Sequence, residues 1–175
     1  TGGSPVRVVT KEWQFIGAGY IGPVPVPVII MIIAIIITAL MMNKTKLGRH
    51  IYAVGGNTQA AEFSGIKVAR VKFIVHAYAG LMAGLAGIIL ASRMYSGQPT
   101  AGEGAEMDAI AAVVVGGTSM AGGSGKIGGT IIGALIIGVL NNGLNLMNVN
   151  SFWQDVVKGV VILLAVFIDY IRNRK

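Results

Sequence analysis

The sequence contains no cysteine, which excludes disulfides, thiolate metal sites and thiol catalysis. Charged residues are also scarce: they make up 12% of the 175 residues, and only 7 residues are Asp or Glu. The two histidines, His50 and His76, form no metal-ligand pattern with Asn57 or with each other. We therefore expect no metal site and no cofactor held by this chain itself.

Apolar residues are abundant instead. They make up 54% of the chain, and the mean hydropathy is +0.72. Several runs lack charge over the width of a bilayer, and the 26 glycines suit closely packed transmembrane helices. This composition predicts an all-α integral membrane protein, a polytopic bundle of transmembrane helices.

The distribution of positive charge sets the expected orientation. The net charge of +7 could indicate a nucleic-acid partner, but the basic residues lie at the ends of apolar runs, so we expect none. Six of the fourteen Lys and Arg lie in 43–72, where Glu62 is the one acid. Cationic loops mark the cytoplasmic side, so this loop and the basic tail are predicted to be cytoplasmic.

About five spans follow from these patterns, one of them interrupted by a Gly-rich stretch. Because the loop at 43–72 and the tail are both expected in the cytoplasm, an even number of membrane crossings must separate them, and the interrupted crossing is needed to make that number even. A plain cytoplasmic Gly-rich loop remains the alternative. Lys158 is expected to extend its side chain to water at the outer end of the last span. The expected segments are an extracytoplasmic loop at 1–23, spans at 24–42, 73–91, 108–126 (interrupted), 127–147 and 156–171, a cytoplasmic coupling loop at 43–72 and a cytoplasmic tail at 172–175.

Four segments together resemble the permease subunits of bacterial ABC importers for ribose, xylose and galactose. They are Gly48–Ile66, Asp108–Thr130, Gly133–Met147 and Val157–Val166. Members of that family are about twice this length, and the chain starts in what looks like the middle of a loop. We therefore expect the C-terminal half of such a permease, in a single membrane domain of the bacterial inner membrane.

The resemblance implies a set of partners. A periplasmic or lipid-anchored binding protein would deliver the sugar to two permease copies, which membrane lipid surrounds. Two cytoplasmic ATPase subunits would bind ATP and Mg, and a short cytoplasmic coupling helix would transmit their closure. The resemblance places that helix at Asn57–Ser64.

The residues of this segment suit a short helix. Asn57 or Thr58 can cap its start, and Gly65 can end it. Phe63 would give an apolar knob for a partner groove, although an amphipathic helix lying on lipid is the alternative. The predicted ATPase-coupling residues are Asn57, Thr58, Gln59, Ala60, Ala61, Glu62, Phe63 and Gly65.

Polar residues inside the apolar spans are the candidates for a substrate pathway. Sugars are uncharged polyols, so neutral amides and hydroxyls suit them. Hydrogen bonding between helices is the alternative role. The candidate pathway residues are Gly116, Gly117, Thr118, Ser119, Asn141, Asn142 and Asn145.

Parts of the sequence also match other functions. A permease for branched-chain amino acids or nucleosides is the nearest rival, and a structural or channel-like bundle is another. Gly122–Gly125 matches the GxSG turn of rhomboid-like intramembrane proteases, but both histidines precede Ser124, against the rhomboid order. Gly125-Lys126 lacks the flanking residues of a phosphate loop, so we expect no catalytic residue here.

Overall fold

A computed structural model describes residues 4–7 and 10–173. Parts of the expected outer loop (1–3 and 8–9) and of the expected tail (174–175) lie outside the described residues, as do the side chains of 168, 169, 172 and 173. Across the described residues there are eight helices: α1 Lys11–Ala18, α2 Val26–Lys44, α3 Lys46–Gly56, α4 Thr58–Phe63, α5 Val68–Arg93, α6 Ala105–Val115, α7 Ile127–Leu146 and α8 Ser151–Asn173.

Within the part of the chain that the structure describes, three helices are long and apolar enough to cross a membrane: α2, α5 and α7. Pro25 precedes α2 as its N-cap, where a missing N–H matters least. Helix α2 is rich in isoleucine, and side chains such as those of Ile36 and Ile37 are about half exposed. An exposed apolar surface of this kind is stable against lipid rather than water. The expectation of a polytopic helical membrane protein is confirmed.

Two short strand pairs depart from a purely helical chain. Strand β1 (Val6–Arg7) pairs antiparallel with β4 (Ser96–Gly97), and β2 (Tyr20–Ile21) pairs antiparallel with β3 (Val24–Pro25). Each strand has two residues, so each pair fastens a loop without building a sheet that could bury a core.

The chain forms two compact units. The first comprises Thr1–Ile51 and Lys67–Glu103, and the second comprises Tyr52–Ile66 and Gly104–Lys175.

In the first unit, α1 packs on the end of α5 around Ser92, which is fully buried. The backbone N–H of Gly17 donates to Ser92 Oγ at 2.7 Å, and Ser92 Oγ donates to the carbonyl of Trp13. A Cβ at Gly17 would lie 2.4 Å from the backbone nitrogen of Arg93, so only glycine allows this approach. The hydroxyls of Thr38 and Tyr78 join α2 to α5 at 2.6 Å.

In the second unit, α6, α7 and α8 surround Ala111, Ala112 and Ile137. A Cβ at Gly133 would lie 2.0 Å from the carbonyl oxygen of Ala112, and one at Gly129 would lie 2.1 Å from that of Gly116. The two glycines, one helical turn apart on α7, therefore let its backbone touch α6 directly.

The segment expected as a coupling loop at 43–72 is largely helical. Thr45 separates α2 from α3: its Oγ1 donates to the carbonyl of Met41 and accepts from the N–H of Gly48 at 3.2 Å. It thereby caps α3, a helix that the sequence analysis did not predict.

The last two expected crossings differ in extent from the helices observed. Helix α6 has 11 residues and spans about 16 Å, half of a bilayer core. Turns follow it up to α7, and no helix continues α6 between Gly116 and Lys126. Helix α8 begins at Ser151, earlier than the expected start at 156. Whether these two segments cross the membrane stays a prediction.

Candidate functional site

Helix α4 is closed at both ends by its own residues. Asn57 has an extended backbone, with φ −152°, and its Oδ1 accepts the N–H of Ala60 at 2.9 Å. At the other end Gly65 has φ +81°, a conformation that glycine adopts without strain. Its N–H and that of Ile66 donate to the carbonyls of Glu62 and Ala61. These bonds use the free backbone groups that a helix of six residues leaves at its ends.

The surface of α4 is almost entirely free. Of the predicted coupling residues, Ala61 is buried and anchors the helix, whereas the others are exposed: Asn57, Thr58, Gln59, Ala60, Glu62, Phe63 and Gly65. The side chain of Phe63 is 91% exposed. Burying a phenylalanine side chain is worth about 2 kcal/mol. Because the ring of Phe63 is exposed in this chain, that free energy is available to a partner that covers it.

Removing the cap of α4 provides a local test. We expect Asn57→Ala to weaken the helix by about 1 kcal/mol, because the N–H of Ala60 would lose its acceptor. Hydrogen exchange at the amides of 58–63 should then be about fivefold faster. Asn57→Asp keeps an acceptor oxygen and should exchange as slowly as the native protein. Equal exchange in Asn57→Ala and the native protein would contradict this account of the helix.

The Gly-rich stretch after α6 is a folded turn. Gly117 has φ +82°, the N–H of Thr118 donates to the carbonyl of Val113 at 3.1 Å, and the N–H of Ser119 donates to that of Ser124 at 3.0 Å. A Cβ at Gly116 would lie 2.5 Å from the carbonyl oxygen of Gly129. Ser119 is 8% exposed, so it is poorly placed to meet a passing solute; Gly117 is exposed.

A polar network joins α6, α7 and α8. Asp108 Oδ2 accepts Asn141 Nδ2 at 3.0 Å, and Asp108 Oδ1 lies 2.8 Å from Lys158 Nζ. Asp155 lies 3.7 Å from the same ammonium. The Lys158 side chain is only 13% exposed, so the expectation that it reaches water is wrong: a carboxylate inside the unit neutralises it. The Oδ1 of Asn141 is buried, and it accepts no hydrogen bond from the described residues.

The three asparagines therefore separate. Asn141 donates to Asp108, and Asn145 Oδ1 accepts Gln154 Nε2 from α8 at 2.9 Å. Asn142 is exposed and lies outside both contacts. Two of the three thus form bonds between helices, the alternative role weighed for them, and their place in a substrate pathway stays a prediction.

Sequence reasoning missed Asp108 and Lys158 as members of this network. Residue 108 was expected at the start of the interrupted span, and Lys158 was expected to extend to water, so neither was expected to have a charged partner. The available signal was that two opposite charges lie in or beside apolar helices, where ionisable groups usually have a partner.

The apolar helices and the exposed short helix define a class, the polytopic helical membrane proteins with a polar segment between spans. Residues 3–166 match the model of a family described as branched-chain amino acid transport system / permease component. The chain belongs to this family. Since it is a family of transport permeases, the intramembrane protease alternative is set aside.

Individual relatives match over nearly the whole chain. A ribose import permease of Bacillus subtilis is 56% identical over 171 residues, which is 97% of this chain and 53% of that protein. A ribose import permease of Escherichia coli K12 is 55% identical over 173 residues, with 97% and 54% covered. A xylose transport system permease of Escherichia coli K12 is 49% identical over 152 residues, with 87% and 39% covered.

The chain spans about half the length of the ribose permeases that it matches. No solved structure gave a significant match.

Proposed function

We propose that this chain is part of the membrane permease of an ATP-driven importer that carries a monosaccharide of the ribose or xylose kind. The observation that carries the proposal is the identity to ribose import permeases over 97% of the chain. A match of this extent includes the spans, α4 and the polar network together. The permease binds and conducts the sugar and does no covalent chemistry.

The energy comes from a separate chain. An ATPase subunit that binds ATP and Mg docks on α4, and the exposed Phe63 fills an apolar groove on its surface. The positive charge around α4 supports a cytoplasmic location, in the bacterial inner membrane. On the opposite side a sugar-binding protein delivers the substrate, and a second permease copy completes the pathway.

The neutral side chains of the second unit support a sugar as substrate. The hydroxyl of Thr118 and the amides of Asn142 and Asn145 can donate to and accept from sugar hydroxyls. The charges of Asp108 and Lys158 neutralise each other at 2.8 Å, so neither is free to hold the ammonium or carboxylate of an amino acid.

A branched-chain amino acid is the second candidate substrate. The observation in its favour is the printed description of the matching family, which names that substrate class. The sugar is preferred because the individual relatives are named for ribose and xylose and because the ion pair is internally satisfied.

Transport into proteoliposomes distinguishes the two. We expect the intact transporter, with its ATPase and a ribose-binding protein, to accumulate radiolabelled ribose or xylose only when ATP is supplied. Leucine, offered with a leucine-binding protein, should not enter above the rate of empty liposomes. ATP-dependent leucine uptake without ribose or xylose uptake would overturn the sugar assignment.

A further inference from the structure

The end of α3 touches the Gly-rich turn backbone to backbone. A Cβ at Gly55 would lie 2.8 Å from the nitrogen of Gly123, one at Gly122 would lie 2.5 Å from the carbonyl oxygen of Gly55, and one at Gly123 would lie 2.6 Å from Gly56 Cα. Real Cβ atoms do not approach other atoms this closely, so the contact requires glycine at 55, 122 and 123.

Hydrogen bonds hold this contact together, one between α3 and the turn and two within the turn. The hydroxyl of Tyr52 on α3 donates to the carbonyl of Gly125 at 3.1 Å. Within the turn, the N–H of Gly122 donates to the carbonyl of Ser119 at 3.1 Å, and that of Ser119 donates to the carbonyl of Ser124 at 3.0 Å. These hydrogen bonds restrict how far the turn can yield when Gly122 or Gly123 is displaced.

The contact lies between the two functional parts of the second unit. Gly56 is followed at once by Asn57, the cap of α4. The turn leads directly into α7, whose Gly129 and Gly133 touch the end of α6. A displacement of α4 would therefore pass to α6 and α7 through this backbone contact. On its other side α4 ends at Gly65, where nothing lies within 4 Å of an added Cβ.

We propose that Gly55, Gly122, Gly123 and Tyr52 form a rigid link that carries movement of α4 to α6 and α7. This inference rests on the proposed function, because it needs an ATPase that moves α4. These are positioning residues: they touch neither the sugar nor nucleotide. Opening or wedging the link should leave ATP hydrolysis running while sugar transport falls behind it.

Two neighbouring glycines give a matched test. In the intact transporter, Gly55→Ala places a methyl against Gly123, whereas the methyl of Gly56→Ala has its nearest neighbour at 3.8 Å. We expect Gly55→Ala to lower ribose uptake per ATP hydrolysed about tenfold, with the ATPase still co-purifying. Gly56→Ala should keep the native ratio.

The turn offers a second matched pair. Gly122 and Gly104 both have positive φ, +91° and +82°, but an added Cβ at Gly104 meets nothing within 4 Å. Both variants place an alanine at a positive φ, and only Gly122→Ala should uncouple uptake from hydrolysis. Equal ratios in the two variants would overturn the link.

A mild variant covers the case in which the alanine variants fail to fold. Tyr52→Phe removes one hydroxyl and should lower the ratio by up to about fivefold, the factor of one net hydrogen bond. Native ratios in Tyr52→Phe and in whichever alanine variants assemble would overturn this inference and leave the proposed function intact. Native protein that shows no ATP-dependent ribose or xylose uptake would overturn both.

Discussion

Asp108→Leu is expected to destabilise the second unit by about 3 kcal/mol. The substitution removes the carboxylate 2.8 Å from Lys158 Nζ and the acceptor of Asn141 Nδ2. Among the described residues, the acid that then remains near the ammonium is Asp155, at 3.7 Å. A charge that is mostly buried and poorly paired is far more costly than a missing pair. Thermal unfolding in detergent, followed by the helical circular dichroism signal, measures the effect.

The double variant Asp108→Leu with Lys158→Met is the matched control. It removes both charges and keeps the volume apolar, so we expect it to recover most of the lost stability. Recovery would show that the single variant suffers from an unpaired charge rather than from altered packing. A double variant as unstable as Asp108→Leu alone would contradict this account of the network.

Phe63→Glu is expected to weaken ATPase binding at least about 30-fold, a loss of about 2 kcal/mol. The ring is 91% exposed and is the large apolar side chain on α4. Placing a carboxylate there puts a charge into the apolar groove that would receive the ring. Co-purification of the ATPase with the permease, and the ATP-dependent uptake rate, should both fall.

Because Phe63 is exposed, its substitution should change ATPase binding without changing the stability of the permease. Because Phe63 contributes little buried area to its own unit, Phe63→Glu should unfold at the native temperature. Phe63→Leu keeps an apolar anchor and should lose no more than about tenfold in binding. If Phe63→Glu binds the ATPase as well as Phe63→Leu does, α4 is not the docking element.

The short helix was predictable because its signals are local. Asn57 and Gly65 bracket a stretch without a helix breaker, and both act as their chemistry dictates, the first as a side-chain cap and the second in the left-handed region. Long uncharged runs likewise identified α2, α5 and α7. Such features depend on residues within a few positions of each other.

Features that depend on distant residues were not predictable. The pairing of Asp108 with Lys158 requires α6 and α8 to be neighbours. The sequence likewise contains the glycines at 55 and 122 but not the fact that their backbones meet. Helix α3 was missed because Gly48, Gly55 and Gly56 lower helix propensity, whereas the Thr45 cap and packing against the turn stabilise it.

The location of α4 is the claim on which the mechanism depends, and thiol labelling tests it most directly. These 175 residues contain no cysteine, so Phe63→Cys introduces the one thiol among them, at a highly exposed position. A membrane-impermeant maleimide should leave it unlabelled in intact cells and label it in inverted membrane vesicles from which the ATPase, which would otherwise cover residue 63, has been stripped. Labelling from the outside of intact cells would place α4 on the wrong side for any ATPase and contradict the account.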